Sequence, residues 1–249
     1  MKLQPEPQMP RVWRRESKPH RFCPGCGHPL ALKALGEAVD DLDWQDRVVF
    51  GCDIGCSLLA WDFFDLDTVQ THHGRTLPVL VGLKRVRPEL VPIAYMGDGG
   101  AYAIGVQHLV SAAARDEPVC SLVVNNAVYA MTGGQMAPTT LPGQKTETTP
   151  YGRDPALSGH PLKGAEMVAA VAAPEAYVAR GSVANLRQLK RYLLRALQNP
   201  HFSLVEVLAS CPTNWRTNAA ETWEWVEKEM PRYFPLGELK GGVREEERR

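Results

Sequence analysis

The chain has 249 residues, 44% of them hydrophobic and 22% charged, with 28 Lys and Arg against 28 Asp and Glu and therefore a formal net charge of zero. That length can bury one substantial core, and the interspersed, balanced charge excludes a general attraction to nucleic acid or to an anionic membrane surface. Apolar runs that stop well short of the roughly 18 to 20 residues of a membrane span exclude a predicted transmembrane helix.

The first segment, "MKLQPEPQMPRVWRRESKPHR", is polar, basic and proline-rich and has no apolar stretch of the kind a secretory signal requires. It reads as an arm, residues 1–20, that is loose or lies on a partner, and the chain reads as cytoplasmic. "FCPGCGHP" follows, with Cys23 and Cys26 two residues apart. The six cysteines are Cys23, Cys26, Cys52, Cys56, Cys120 and Cys211. In a reducing compartment, C-x-x-C spacing points to metal or redox chemistry more often than to a structural disulfide.

Next, "HPLALKALGEAVDDL" repeats apolar residues at helical spacing (Leu30, Leu35, Val39, Leu42), with Pro29 suited to a first turn. "RVVF" reads as a short buried strand ending at Gly51, "TLPVLVGLKRVRP" as a helix stopped at Pro88, and "LVPIAYM" as a strand ending at Gly97. "AIGVQHLVSAAARD" is helical and "VCSLVV" is a strand running into Asn125 and Asn126. Residues 127–163 have no clear periodicity, and a loop that long is usually functional or interfacial. Beyond it, "GAEMVAAVAA" looks helical, "AYVAR" a strand, and "SVANLRQLKRYLLRALQ" an amphipathic helix with Ser182 as its cap; "FSLVEVL" is the last strand.

Strands and helices alternating in this way imply an α/β fold with a doubly wound, mostly parallel sheet. The expected organisation is the arm, a domain over 21–215, and a C-terminal helix with a charged tail over 216–249. The segments "GCDIGCS", "GDGGAY", "NNAVYAMTGGQ" and "CPTNW" each begin where a predicted strand ends. Ligands of open α/β sheets bind outside the carboxyl ends of the strands, so the four should converge on one edge.

Asp98 supplies a hard carboxylate oxygen, and Asn126, roughly one helix and one strand further on, a carboxamide oxygen. That pair suits Mg2+, which takes few protein ligands and completes its octahedron with phosphate oxygens and water. Gly99 and Gly100 lack a Cβ, so backbone amides at a helix start can approach a diphosphate. Alone, an Asp-Gly pair is an ordinary turn; with the Asn pair at this spacing it describes a magnesium-diphosphate clamp.

The pairing resembles the signature of thiamine diphosphate enzymes. "FCPGCGHP", "DIGCS", "THHGR", "GDGGAYAIG", "NNAVYAMTGGQMAPTT" and "CPT", in this order over residues 20–215, resemble the β subunit of 2-oxoacid:ferredoxin oxidoreductases. The resemblance implies one 4Fe-4S cluster on Cys23, Cys26, Cys56 and Cys211, thiolates being the usual ligands of such clusters. Cys52, four residues before Cys56, competes on spacing alone, and the resemblance selects Cys56. Cys120, inside an apolar run, reads as a small core residue. A thioredoxin-like dithiol normally follows a strand, which Cys23 and Cys26 do not; four thiolates also suit tetrahedral zinc, leaving a non-catalytic zinc or dithiol scaffold as the other reading.

By the same resemblance Ile54, Gly55, Cys56 and Ser57 line the thiamine, with Ile54 as an apolar support. His73 reaches the diphosphate or the reacting centre. Asp98, Asn126 and the carbonyl of Val128 hold Mg2+, Ala130 and Met131 run along the diphosphate, and Thr132, Gly133, Gly134 and Gln135 border the substrate pocket. The sequence departs from the pattern at Phe22, where a tryptophan is common, at Asn125, where many members have aspartate, and at Gly133, where some carry lysine.

The implied reaction is the oxidative decarboxylation of a 2-oxoacid with coenzyme A, electrons leaving through the cluster to ferredoxin; it is reversible, so carbon fixation is a possible direction. The "TGGQ" version resembles 2-oxoglutarate enzymes more than pyruvate enzymes, which favours 2-oxoglutarate and succinyl-CoA over pyruvate or branched-chain 2-oxoacids. The glutamate that activates the aminopyrimidine belongs to the α subunit in this family. The expected enzyme is therefore α2β2, and this chain is inactive alone. No ferredoxin-type C-x-x-C-x-x-C-x-x-x-C-P run is present, so one cluster is the most the chain carries.

Overall fold

In β1 (Val48–Cys52) the pleat sends Val48, Phe50 and Cys52 to one side of the sheet and Val49 to the other, and every residue is buried. Buried on both sides, such a strand must lie inside a layer with helices above and below. The structure, a computed structural model, describes residues 9–242 and shows this sandwich. In chain order its elements are α1 (His28–Leu42), β1, β2 (Asp67–Gln70), α2 (Thr76–Val86), β3 (Val91–Gly97), α3 (Val106–Ala114), β4 (Cys120–Asn125), β5 (Val128–Tyr129), β6 (Gln135–Met136), α4 (Pro155–Ser158), α5 (Gly164–Val171), β7 (Tyr177–Ser182), α6 (Leu186–Gln198), β8 (Ser203–Leu208), α7 (Pro212–Trp215), α8 (Ala219–Glu224), α9 (Met230–Tyr233) and β9 (Gly237–Gly241).

The seven-stranded sheet runs β2-β1-β3-β4-β8-β7-β9, parallel throughout except for β9, which pairs antiparallel to β7; β5 and β6 form a separate small hairpin. Helices α1 and α6 cover one face around Phe50, Tyr95 and Leu122, while α2, α3 and α5 cover the other around Val49, Ala94 and Val123. Among the described residues no helix is long and apolar enough to cross a membrane.

The expected alternation is present, with four local differences. The described part of the N-terminal segment packs on its own chain: Val12 is fully buried, Asp65 N–H donates to its carbonyl at 2.7 Å, and the Trp13 ring meets Phe63 edge-on at 4.3 Å. Polar contacts dock it too, Arg11 on the Asp40 carbonyl and Asp43 carboxylate, both at 3.0 Å, and Lys18 on the Phe63 carbonyl at 3.2 Å; residues 1–8 lie outside the described residues. Ser182 ends β7 instead of capping α6; the cap is Asn185, whose Oδ1 accepts the Gln188 N–H at 3.1 Å. Strand β2 was not expected, because an edge strand with one side in solvent has no apolar run. The C-terminal segment adds β9 to the sheet beyond its helices, and the charged tail from residue 243 lies outside the described residues.

Candidate active site

From β1 the chain leaves to β2 on one side, and from β2 it crosses back to β3 on the other, so the carboxyl ends of β1 and β3 form a topological switch point. A cleft of about 560 Å3 opens there. It is lined by Ile54, Gly55, Cys56 and Ser57 after β1, by His73, by Gly97 to Gly100 after β3, by Asn126 and residues 128–132 after β4, and by His28 from α1. Three of the four segments expected to converge, "DIGCS", "GDGG" and "NNAVYAMTGGQ", line this cleft together with His73, whereas "CPTNW" stays out of its lining and reaches it indirectly, through Asn214 on the Ala130 carbonyl and Trp215 on the Asn126 carbonyl. Thr132 is part of the wall; it closes its own loop through Gln135, whose Nε2 donates to the Thr132 carbonyl at 2.7 Å.

Asp98 is 2% exposed and carries only neutral hydrogen-bond donors. Its Oδ1 accepts the Gly99 N–H at 2.9 Å; its Oδ2 accepts the Ala127 N–H at 3.1 Å and the Thr139 hydroxyl. Among the described residues no Lys, Arg or His makes an ion pair with it. Burial pushes its carboxyl up to about 7 against the pull of those three donors. A buried carboxylate without a cation is the arrangement that a divalent ion completes.

Opposite it, the turn after β4 is strained: Ala127 has φ +60°, a left-handed conformation unfavourable for a residue with a Cβ. It is held from three directions, by the N–H bond to Asp98, by a second acceptor, Asn125 Oδ1, at 3.1 Å, and by the Thr140 hydroxyl donating to its carbonyl at 2.6 Å. The Trp215 indole N–H donates to the Asn126 carbonyl at 3.0 Å, fixing the same turn from the far side. Asp98, Asn126 and Val128 meet at this turn. All three line the cleft, with Asn126 Oδ1 accepting the Val128 N–H at 3.3 Å, and their oxygens are of the type a hard cation takes.

The glycines are required for different reasons. Gly55 sits at φ +108° with open space around its missing Cβ, so conformation selects it. Gly99 and Gly100 are crowded instead: a Cβ at Gly99 would fall 2.1 Å from the Tyr129 ring, and one at Gly100 1.9 Å from Asp53 Oδ2. The helical turn they open, Gly100–Ile104, is wound to π geometry, a form frequent at functional sites.

Beside the cleft the four expected cysteines share one neighbourhood. Burial pushes the Cys26 and Cys56 thiols up to about 12, each pushed further by Cys211 and Cys23, and Cys26 also by Cys56. The Cys23–Cys26 turn, closed by the Cys26 N–H on the Cys23 carbonyl at 3.1 Å, is tied to the end of the sheet. The Gly27 N–H donates to the Ser210 carbonyl at 2.9 Å, and the Ser210 hydroxyl donates to the Gly25 carbonyl at 2.8 Å, across a sequence separation of 185 residues. Asn214 Nδ2 donates to Cys211 Sγ at 3.5 Å. Among the described residues no three His, Cys, Asp or Glu side chains stand as close as a single metal ion requires. Cys52 is fully buried on the α1 side of the sheet with Val48 and Phe50, and Cys120 is buried in the same core.

Four residues that complete the site were not expected. His28 is buried with its Nδ1 2.5 Å from the Tyr95 hydroxyl, and its ring stacks on Phe22 at 5.2 Å; burial holds it down at about 3, so it is neutral. Its position directly after C-x-x-C-G was the available signal. Tyr129, Thr139 and Asp53 are polar residues whose side chains meet Gly99, Asp98 and His73 across the folded sheet edge.

Residues 53–207 match the model of the family described as thiamine pyrophosphate enzyme, C-terminal TPP binding domain. The chain is 41% identical over 222 residues to the ketoisovalerate oxidoreductase subunit VorA of Methanothermobacter thermautotrophicus, an alignment covering 86% of this chain and 46% of that protein. It thus spans about half the length of that relative. It is 37% identical over 219 residues to the 2-oxoglutarate synthase subunit KorB of Archaeoglobus fulgidus, covering 88% of this chain and 80% of the relative. Its backbone superposes on a solved chain of the 2-oxoglutarate:ferredoxin oxidoreductase from Magnetococcus marinus with 2-oxoglutarate, coenzyme A and succinyl-CoA bound, with a TM-score of 0.79 and 25% identity over 96% of this chain and 87% of that one.

Proposed function

Because the chain belongs to the thiamine pyrophosphate enzymes, and among them to the β subunits of 2-oxoacid:ferredoxin oxidoreductases, we propose that it binds thiamine diphosphate with Mg2+ in the cleft and one 4Fe-4S cluster on Cys23, Cys26, Cys56 and Cys211. We further propose that, with an α subunit in an α2β2 assembly, it oxidises a 2-oxoacid with coenzyme A in the cytoplasm and passes electrons to ferredoxin.

The observation that carries this reading is Asp98, a buried carboxylate without a cation, facing Asn126 in a cleft that also exposes Cys56. In that reading Asp98, Asn126 and the Val128 carbonyl hold the ion. Gly97 to Gly100 would border the diphosphate at the start of a helical turn, Ala130 and Met131 would flank it, and Ile54, Gly55 and Ser57 would form the wall against the thiamine. Thiamine diphosphate, when bound, supplies the carbanion stabilisation that decarboxylation of a 2-oxoacid needs. Cys56 belongs to the same wall, and a cluster held by the four thiolates would supply one-electron acceptance there.

For the substrate we favour 2-oxoglutarate, supported by the "TGGQ" segment and by the KorB relatives. Branched-chain 2-oxoacids are the second reading, supported by the VorA relatives and by a cleft wall that contains Ile54 and Met131 but neither Lys nor Arg among its described lining residues. Co-purification with the neighbouring subunit, followed by methyl viologen reduction across a panel of 2-oxoacids, tests both. The expected result is activity dependent on coenzyme A and thiamine diphosphate, highest kcat/KM with 2-oxoglutarate, and none from this chain alone. A colourless complex that binds no thiamine diphosphate would return the chain to the scaffold reading.

A further inference from the structure

Asp53, the residue immediately after β1, is fully buried at the base of the cleft, and neither the metal corner nor the cysteine set uses it. It joins three of the motif segments. Its backbone N–H donates to the Tyr95 carbonyl at 3.0 Å, continuing the sheet pairing. Its Oδ1 accepts the Gly74 N–H at 2.7 Å, and its Oδ2 lies 3.3 Å from His73 Nδ1. Oδ2 and Nδ1 are both buried and neither meets hydrogen-bond geometry with any partner among the described residues, so the 3.3 Å approach brings together two otherwise unpartnered polar atoms. The space taken by this carboxylate is the space a Cβ at Gly100 would need, so the second glycine of the pair after Asp98 is bound up with Asp53.

The pair constrains the histidine. The two nitrogens of an imidazole lie on opposite edges of the ring, so Nδ1 on Asp53 turns Nε2 away from it, and His73 lines the cleft with about a third of its side chain, 32%, exposed. An ionised carboxylate only accepts hydrogen bonds, so it selects the tautomer with the proton on Nδ1 and leaves a lone pair on Nε2. Burial raises the Asp53 carboxyl, while the Gly74 N–H and His73 pull it back toward the ionised form.

We propose that Asp53 is a positioning residue that holds His73 in the Nδ1–H tautomer, so that Nε2 meets the cleft's ligand as a proton acceptor and, once protonated, as a donor to an anionic oxygen. The inference rests on reading the cleft as the site of an anionic cofactor and substrate. A buried carboxylate paired with an imidazole that opens on a cleft orients the ring for proton transfer. If Asp53 only braced the loop, the Gly74 bond would suffice and the tautomer of His73 would be indifferent to it.

The test reads the tautomer directly. In the full chain labelled with 15N-histidine, long-range proton–nitrogen correlations distinguish the two neutral forms, and H73Q assigns the signals by removing them. His73 is expected to carry its proton on Nδ1. In D53N, whose carbonyl keeps the Gly74 bond while its amide can donate to Nδ1, the proton should move to Nε2. An Nε2–H tautomer in the wild type, or no change in D53N, overturns the proposal, and the wild-type spectrum decides even if the variant fails to fold. In the assembled enzyme D53N should lower kcat on the order of 100-fold, with thiamine diphosphate affinity and KM close to wild type; an equal loss of affinity would overturn it in favour of a bracing role. A wild-type complex inactive on every 2-oxoacid would defeat the functional reading, while the tautomer result still decides this one.

Discussion

Two carboxylates are buried in the same sheet on opposite terms. Glu206, in β8, is fully enclosed; its Oε1 accepts Asn125 Nδ2 at 2.7 Å and its Oε2 accepts Arg180 Nε at 2.7 Å. Arg180, its register partner in β7, is also fully buried, and its remaining nitrogens reach Glu166 at 2.8 and 2.5 Å and the Pro235 carbonyl at 3.0 Å. Asp98, at the end of β3, has hydrogen bonds but no cation. Desolvation raises both carboxyls; Arg180 and Asn125 pull Glu206 back toward its charged form, where only neutral donors pull on Asp98. A charge balanced inside the protein belongs to the architecture, and a charge left unbalanced at a cleft is complementary to something that arrives.

Breaking the balanced side should have the largest effect on folding. Arg180→Met strands Glu206 and is expected to cost about 3–5 kcal/mol in urea unfolding; a midpoint that hardly moves would mean the network does not hold the sheet. Changing the unbalanced side should do the reverse. Asp98→Asn is expected to leave stability unchanged or improved and to weaken Mg2+-dependent thiamine diphosphate binding on the order of 100-fold or more, at or beyond the upper end of what outer-sphere partners of a metal cost. Calorimetric titration of the full chain with and without Mg2+ reads this, and any visible colour should survive.

A smaller effect sharpens the same contrast through pH. In the metal-free chain the Asp98 carboxyl is pushed up to about 7, whereas in the unfolded chain it titrates near ~3.9. Between those values the folded state holds the extra proton, so this group's contribution to stability falls as pH rises from about 4 through about 7 and is then constant. Wild type measured against Asp98→Asn from pH 5 to 8 should show the wild type losing ground, and a parallel pair of curves would contradict the raised carboxyl. The smallest change separates interior from edge among the cysteines. Cys52→Ala should cost about 1 kcal/mol and keep the visible absorption of a bound cluster, whereas Cys56→Ala should remove that absorption at little cost in stability.

The sequence showed much of the fold because apolar runs in strands buried on both sides, such as Val48–Cys52 and Cys120–Asn125, are local signals. The convergence of motifs was legible for the same reason: knowing where parallel strands end says where their loops meet. What was hidden depends on partners distant in sequence. Strand β2 has no apolar run, β9 is defined by its pairing with β7, and Val12 and Trp13 dock because Phe63 and Phe64 are there to receive them. Likewise Gly99 and Gly100 looked like room for a ligand, and the space beside them is taken by Tyr129 and Asp53. The burial of Cys52 was hidden too: β1 is buried on both faces, so the pleat alone puts residues of either parity into a core, and only the covering helix α1 shows which one Cys52 enters.

The tie between the Cys23–Cys26 turn and Ser210 also sets an order in time. During synthesis from the N-terminus the first cysteine pair emerges long before β8, and the residue that holds its turn is 185 positions away from Gly25. Contacts of such separation close late, after the intervening units have folded. Before that, the turn has only its local Cys26 N–H to Cys23 carbonyl bond and lacks the Ser210 contacts. A group bound across Cys23, Cys26, Cys56 and Cys211 would need a residue that follows β8, so it could be completed only once the last parallel strand has been synthesised.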